Sequence, residues 1–173
     1  MRSKPADATG LRDATPADAA DIAAIYNVHV RATTATFELD EVDAGAMQRR
    51  ITDVQERGLP WLVAEGDGRV VGYAYAGPWK PRAAYARTVE TSIYLDAAAC
   101  GRGLGRRLYA ALVERLRAQG MHVAIGGISL PNPVSVALHE ALGFRHVGVF
   151  REVGHKFGHW IDVGYWQLRL EAA

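Results

Sequence analysis

The sequence predicts a single mixed α/β domain in which helices pack on a sheet. Three observations lead to this prediction. Apolar residues recur at helical spacing in several segments, short stretches rich in β-branched and aromatic residues separate them, and a strand, a glycine loop, a helix and a second strand follow one another within residues 88–128. The length of 173 residues fits one compact domain. Residues 1–10 are small, polar and unpatterned, so we expect a flexible leader followed by a domain over residues 11–173.

Two helices are predicted in the N-terminal third of the chain. The first begins at Thr15 and Pro16, where a hydroxyl cap precedes a proline at the first helical position. The second covers residues 44–56, in which apolar residues recur at spacings of four and three before a glycine and a proline end the pattern. Residues 33–37 lie between the two helices and connect them.

Six short segments are predicted to form strands because β-branched and aromatic residues are frequent in them. A β-hairpin over residues 61–65 and 70–75 encloses a Gly-Asp-Gly turn, and residues 88–95 form the next strand. The remaining strands are predicted near residues 121–128, 146–150 and 163–170. The hairpin and its successor predict an antiparallel meander.

Two further helices are predicted in the C-terminal half. The first follows the glycine loop at residues 101–105, has leucine at every fourth position and ends near Gly120. The last begins at Asn132 and runs through Leu142, where a glycine stops it. Helices therefore alternate with strands in this half of the chain.

Composition excludes several classes of function. The chain has 20 basic and 19 acidic residues, so no excess positive charge is available for nucleic acid. Its single cysteine, Cys100, excludes an internal disulfide and a cysteine metal cluster, and fits a reducing compartment. The apolar runs are far shorter than the ~20 residues of a membrane span, and the first residues lack a signal-peptide core. We therefore expect a cytoplasmic protein without nucleic-acid or membrane partners.

The glycine loop between a strand and a helix could hold a phosphate or pyrophosphate. Backbone N–H groups and the helix dipole converge at such a place, and Arg102 and Arg106 add positive charge. The Walker pattern is absent from the sequence, and the dinucleotide pattern would need glycine at position 106. A glycine-rich helix entry with solvated arginines would have the same sequence, so spacing alone leaves both interpretations open.

The segment from Cys100 to Gly105 resembles the acyl-CoA phosphate loop of the GCN5-related N-acetyltransferases (GNAT), whose pattern is Gln/Arg-x-x-Gly-x-Gly/Ala. Cys100 departs from this pattern, since it stands where the family prefers Gln or Arg. A more specific resemblance, to the phosphinothricin N-acetyltransferase branch, extends from Leu11 to Leu170. It rests on blocks at residues 60–65, 73–80, 88–90, 138–144 and 162–168.

The resemblance implies a GNAT fold, in which helices flank a central mixed and mostly antiparallel sheet. It implies an enzyme that needs no metal and transfers acetyl from acetyl-CoA to the α-amine of a small amino-acid-like substrate of the phosphinothricin, methionine sulfoximine or methionine sulfone type. It also implies a homodimer. The implied cofactor-binding residues are Ile93, Tyr94, Leu95, Gly101, Arg102, Gly103, Leu104, Gly105, Arg106, Asn132 and Ser135, and the implied substrate-binding residues are Phe37, Lys80, Arg82 and Tyr85.

Two residues are predicted to carry the chemistry. An α-ammonium with a pKa of about 8 or higher must lose a proton before it attacks a thioester. Glu90 occupies the general-base position of the family in the middle of a strand, where partial burial would raise its pKa. His139 could protonate the leaving thiolate or order a water molecule. On residue type alone, Glu90 could instead face solvent and His139 could simply pack against the sheet.

Several of the implied binding residues have an equally ordinary structural interpretation. Asn132 and Ser135 could be helix caps, and the segment with Lys80 and Arg82 could be a solvated loop. Relatives usually have valine and glycine where this chain has Gly127 and Ser129, so the shape of the pocket is expected to differ.

Two functions other than acetylation of a small amino-acid analogue are compatible with the same sequence. The protein could be a non-catalytic acyl-CoA sensor, or it could be an acetyltransferase for a peptide or protein amine. The presence of both Glu90 and His139 argues against the sensor.

Overall fold

The computed structural model describes residues 10–170. Residues 1–9 of the predicted leader lie outside the described residues, whereas Gly10 opens the first strand. The strands are β1 (Gly10–Asp13), β2 (Trp61–Gly66), β3 (Arg69–Pro78), β4 (Thr88–Leu95), β5 (Val123–Ser129), β6 (Arg145–Lys156) and β7 (His159–Arg169). The α-helices are α1 (Ala19–Ala32), α2 (Ala44–Glu56), α3 (Leu104–Ala118) and α4 (Pro133–Ala141).

Within residues 10–170 the seven strands form one sheet in the order β1-β2-β3-β4-β5-β7-β6. Neighbouring strands are antiparallel except β4 and β5, which run parallel. The predicted mixed and mostly antiparallel sheet with flanking helices is therefore confirmed. No helix in the described part of the chain is long and apolar enough to cross a membrane.

Apolar side chains form a separate core on each face of the sheet. On one face the leucine stripe of α3 is fully buried, with Leu108, Leu112 and Leu116 at 0% exposure. On the other face α1 and α2 pack against β2 and β3, and the apolar spacing of these helices places Ile22 and Ile51 in the core. The two helical layers fix the strands between them.

The parallel pair β4 and β5 is joined over only three residue pairs, which match 88–90 with 123–125. Just beyond the last pair, Oγ1 of Thr91 lies 3.2 Å from the carbonyl oxygen of Ile125. The rest of β4 is paired with β3 on its other edge. The two strands therefore diverge after Glu90, and a cleft opens between them.

The C-terminal strands are longer than the sequence predicts. β6 and β7 form one long hairpin with a turn at Phe157 and Gly158, whereas the sequence predicts two separate short strands. β6 has irregular register at two places, which interrupts the alternation that reveals a strand. The short strand β1 is absent from the sequence prediction because two of its four residues, Arg12 and Asp13, are charged.

Candidate active site

The cleft between β4 and β5 contains a cavity of about 210 Å³. β4 forms one wall and the start of α4 forms another. Five of the predicted cofactor-binding residues line this cavity: Ile93, Tyr94, Leu95, Asn132 and Ser135. Cys100, at the start of the glycine loop, lines it as well. The structure therefore brings the β4 edge, the loop and α4 together around one space.

The glycine loop turns sharply into α3. Gly101 and Gly103 have φ angles of 75° and 76°, in the left-handed region that favours glycine. Gly103 is the N-cap of α3 and, among the described residues, no side chain caps this helix end. The first N–H groups of α3 are thus available to an anion. Arg102 and Arg106 are exposed beside them, whereas the Leu104 side chain is buried in the core.

Asn132 and Ser135 have a visible structural role. The Oδ1 atom of Asn132 accepts a hydrogen bond from the Ser135 backbone N–H at 3.1 Å and so caps α4. The capping interpretation is therefore present in the structure. Both residues also line the cleft, so their contact with a cofactor stays a prediction.

A second cavity, of about 300 Å³, lies beside Glu90. Phe37, whose role in binding the substrate stays a prediction, forms part of its wall. This cavity shares Ala35, Gly127 and Ser129 with the cavity of the cleft. The two spaces therefore meet beside Gly127, within reach of the Glu90 side chain.

Glu90 is half-buried on β4 and lines this second cavity. Among residues 10–170 no side chain donates a hydrogen bond to its carboxylate, so its oxygens remain free to accept a proton. Burial raises the pKa of Glu90, and the positive charge of Lys80 opposes part of that rise. A Cβ atom at Gly127 would lie 3.3 Å from Oε1 of Glu90. A glycine at this position therefore avoids a tight contact with the carboxylate.

The other predicted substrate-binding residues lie after the end of β3. Lys80 is exposed, and its Nζ atom stands 4.9 Å from the centre of the Trp79 ring. Its positive charge lowers the pKa of Glu90, although Lys80 does not line the second cavity. Arg82 and Tyr85 are exposed and are not among the residues that line either cavity. The structure thus relates Lys80 to Glu90, while the roles of Arg82 and Tyr85 stay predictions.

His139 is 4% exposed, and both of its ring nitrogens have partners within the protein. Nδ1 donates to the carbonyl oxygen of Ser135 at 2.8 Å, so Nε2 accepts from the hydroxyl of Tyr109 at 3.0 Å. The Tyr109 oxygen lies 2.6 Å from Oγ1 of Thr91. Burial lowers the pKa of His139, which favours the neutral ring. These contacts match a packed histidine, and its role as a proton donor stays a prediction.

Several residues of the second cavity are absent from the sequence prediction. Thr34 and Tyr165 line it, and the Thr34 hydroxyl lies 3.3 Å from that of Ser129. Tyr165 belongs to the block at residues 162–168, whose resemblance to the family gives no sign that it faces a cavity. The segment 33–37 has a recognisable position between two helices, but no spacing rule shows that it contacts β5 and β6. Within the described residues, no group of three or more His, Cys, Asp or Glu side chains could hold a metal ion.

Comparison with known proteins agrees with this geometry. Residues 11–164 match the acetyltransferase (GNAT) domain family. The chain is 42% identical over 161 residues to the phosphinothricin N-acetyltransferase of Streptomyces viridochromogenes, covering 93% of this chain and 87% of that protein. It is 43% identical over 162 residues to the L-methionine sulfoximine/L-methionine sulfone acetyltransferase of Pseudomonas aeruginosa, covering 93% and 94%.

A solved structure has the same fold. The phosphinothricin acetyltransferase of Sinorhizobium meliloti in complex with AcCoA is 38% identical and superposes with a TM-score of 0.91, covering 94% of this chain and 89% of that one. The match to the family extends over most of the sequence, and the arrangement of the strands agrees with it. The chain therefore belongs to the GNAT acetyltransferase family.

Proposed function

We propose that the protein transfers an acetyl group from acetyl-CoA to the α-amine of a small amino-acid analogue of the phosphinothricin, methionine sulfoximine or methionine sulfone type. The observation that carries this proposal is the position of Glu90. Its carboxylate faces a cavity of about 300 Å³ that meets the β4–β5 cleft beside Gly127. The names of the relatives from Streptomyces viridochromogenes and Pseudomonas aeruginosa support the class of substrate.

The residues of the cleft fit acetyl-CoA, which would supply an activated acetyl thioester. The uncapped N–H groups at the start of α3 would bind the pyrophosphate, with Arg102 and Arg106 close to the phosphates. Beyond Glu90, backbone groups of β4 on the side that β5 leaves would hydrogen-bond the amides of the pantetheine arm. The AcCoA complex of the Sinorhizobium meliloti structure supports this assignment.

Glu90 would accept the proton that the α-ammonium must lose, directly or through one water molecule. Burial raises the pKa of the Glu90 carboxyl toward that of the α-ammonium. The smaller difference between the two pKa values makes proton transfer from the ammonium to Glu90 less unfavourable. The contact between the two cavities supports direct attack within one ternary complex, because an amine beside Glu90 would lie at the open end of the cleft.

The acid group of the acceptor would be bound by positive charge near the end of β3. Lys80 already acts on Glu90 electrostatically, and Arg82 follows it in the same exposed segment. Together they would bind a carboxylate and a phosphinate or sulfone oxygen. Phe37 would provide the apolar wall on the opposite side of the acceptor.

The test is the release of CoA thiol from acetyl-CoA with phosphinothricin, methionine sulfoximine, methionine sulfone and ordinary amino acids as acceptors. We expect saturable turnover with at least one of the first three. Glu90→Gln should lower kcat by roughly 10²–10⁴-fold. Glu56→Gln, at the exposed end of α2, is the matched control and should leave the rate unchanged.

Three results would point to a different function or mechanism. Binding of CoA without turnover on any amine would indicate a sensor module and contradict the proposal. Acetylation of peptides but not of free amino acids would show that the reaction is the proposed one and that the acceptor is a peptide or protein amine. A Glu90→Gln variant as fast as the original protein would remove Glu90 from the mechanism while leaving the reaction in place.

We also propose that the protein is a cytoplasmic homodimer. The β6–β7 hairpin exposes large apolar side chains, with Trp160 at 65% and Phe150 at 60% exposure. Trp166, in contrast, is 5% exposed and belongs to the core, so it is not available to a partner. The exposed apolar surface of the hairpin supports burial against a second copy. The free thiol of Cys100 is compatible with a reducing compartment.

A further inference from the structure

Lys156 is a buried lysine that the proposed reaction does not use. It lies at the end of β6 and is 2% exposed. Its Nζ atom donates to the carbonyl oxygens of Thr33 and Thr36, each at 2.8 Å, and to that of His29 at 3.4 Å. The three N–H groups of the ammonium therefore all have acceptors, and these acceptors belong to the last turn of α1 and the loop after it.

The surroundings of Lys156 show what the lysine contributes. Within residues 10–170 its hydrogen-bond acceptors are carbonyl groups rather than a carboxylate. Burial of an ammonium without a carboxylate partner costs free energy, and a methionine would fill a similar space without that cost. The lysine adds three directed hydrogen bonds, which fix the position of the loop relative to the hairpin.

The loop that Lys156 fixes is a wall of the acceptor cavity. Thr34, Ala35 and Phe37 line the cavity beside Glu90. Gly154, two residues before Lys156, receives the Phe37 ring, since a Cβ atom there would lie 2.4 Å from the ring carbons. The hairpin thus contacts the loop at two points, one polar and one apolar.

The opposite side of the loop is held by α1 and α2. The hydroxyl of Tyr26 lies 2.6 Å from Oγ1 of Thr36 and donates to Glu38 at 3.0 Å. Arg50 forms a bidentate ion pair with Glu38, with distances of 2.7 and 3.0 Å. These contacts bind the helical side of the loop.

On the side of the sheet, the Thr34 hydroxyl lies 3.3 Å from that of Ser129, and the Tyr94 hydroxyl donates to the carbonyl oxygen of Ala35 at 3.4 Å. The two 2.8 Å hydrogen bonds of Lys156 are the shortest polar contacts between the loop and the sheet that the described residues show.

We propose that Lys156 is a positioning residue for the acceptor site. It fixes residues 33–37 against the β6–β7 hairpin, and with Gly154 it sets the distance between the Phe37 wall and Glu90. Lys156 and Gly154 therefore determine which acceptor side chains fit. The statement about acceptors rests on the proposed function, whereas the attachment of the loop does not.

The experiment compares Lys156→Met with Lys156→Gln, which keeps an N–H donor, and with Arg151→Met as the matched control. Arg151 is a cation on the same strand whose partner is Asp162 rather than the loop. Hydrogen exchange of a peptide covering residues 33–38 reports the loop directly, because the amides of Ala35 and Glu38 are hydrogen-bonded within it. Steady-state kinetics report the KM of the acceptor and of acetyl-CoA.

We expect Lys156→Met to increase exchange in this peptide by about tenfold or more and to leave β2 and β3 unchanged. The KM of the acceptor should rise on the order of tenfold, with the KM of acetyl-CoA unchanged. Lys156→Gln should show a smaller change in both measurements, and Arg151→Met should show none. Gly154→Ala should raise the KM of the acceptor by displacing Phe37, even if Lys156→Met does not fold.

Unchanged loop exchange in a folded Lys156→Met protein would overturn the proposal. Equal rises in the KM of the acceptor and of acetyl-CoA would also contradict it, since that result indicates a general loss of structure. If the original protein acetylates none of the acceptors, the proposed function fails, and the exchange measurement still decides whether Lys156 holds the loop.

Discussion

Small residues at three positions make room for the side chains of the site. His139 lies against Gly126, the Glu90 carboxylate lies beside Gly127 and the Phe37 ring lies on Gly154. In each case a backbone without a side chain receives a group from another element. The position of each of these three side chains therefore depends on a glycine of a neighbouring strand.

The pH dependence of the reaction should show the ionisation of the Glu90 carboxyl. A base must be deprotonated, so kcat/KM should rise with pH through the pKa of Glu90, which burial holds above the usual glutamate value of 4.5. Lys80→Met removes the positive charge that lowers this pKa, so the acid limb of the profile should move to higher pH. Lys80→Arg keeps the charge and should leave the limb in place. A limb that moves to lower pH in Lys80→Met would contradict this assignment.

Gly126→Ala should destabilise the protein. A Cβ atom at this position would lie 2.4 Å from Nε2 of His139, a ring that two hydrogen bonds hold in place. Overpacking of this kind costs about 1–3 kcal/mol, which urea unfolding would measure. Gly148→Ala, on β6, is the control because nothing lies within 4 Å of its Cβ position. Equal stability of the two variants would show that the ring can move.

Among the helices and strands, the bounds are predicted best where the residue pattern inside the element agrees with the residues that mark its ends. The bounds of α2 and β4 are those predicted, since α2 has an apolar spacing of four and three and β4 is rich in β-branched residues. The hairpin of β6 and β7 is only partly predictable, because irregular register breaks its alternation. Contacts such as that of Lys156 with the loop join residues at least 120 positions apart, and no local pattern shows them.

A change at the entry into α3 should weaken the binding of acetyl-CoA. Gly103→Ala forces a side chain into a backbone with φ of 76°, at a cost of roughly 1–2 kcal/mol, and would disturb the free N–H groups of the helix. We expect lower stability together with a higher KM for acetyl-CoA. Gly58→Ala is the matched control, since its φ is 72° and it has equal open space but lies after α2. It should lower stability without changing that KM.

At the scale of the whole molecule, the helices leave part of the sheet uncovered. α1 and α2 cover β2 and β3, whereas Val147 and Phe150 on β6 are 61% and 60% exposed. An apolar cavity of about 310 Å³ lies in the same region, where Trp79, Ile125 and Tyr165 meet β6. This distribution concentrates exposed apolar area on the half of the sheet formed by the hairpin.

The oligomeric state should depend on this area. Light scattering during size-exclusion chromatography is expected to give twice the mass of one chain, and Val147→Asp with Phe150→Asp should give a monomer, because buried carboxylates oppose association. Leu39→Asp, at an apolar side chain that is 70% exposed outside the hairpin, is the control and should remain a dimer. A monomeric original protein at micromolar concentration would contradict the proposed assembly.

The three residue pairs that join β4 to β5 are a narrow seam between two half-sheets, β1 to β4 and β5 to β7. Hydrogen bonds across this seam are few, so the halves are also joined by the buried core beneath α3, which contains side chains from both. A ligand seated between the diverging strands would bond to both halves. Acetyl-CoA would then act as a mechanical cross-link as well as a reactant, and saturation with it would stabilise the folded chain by mass action.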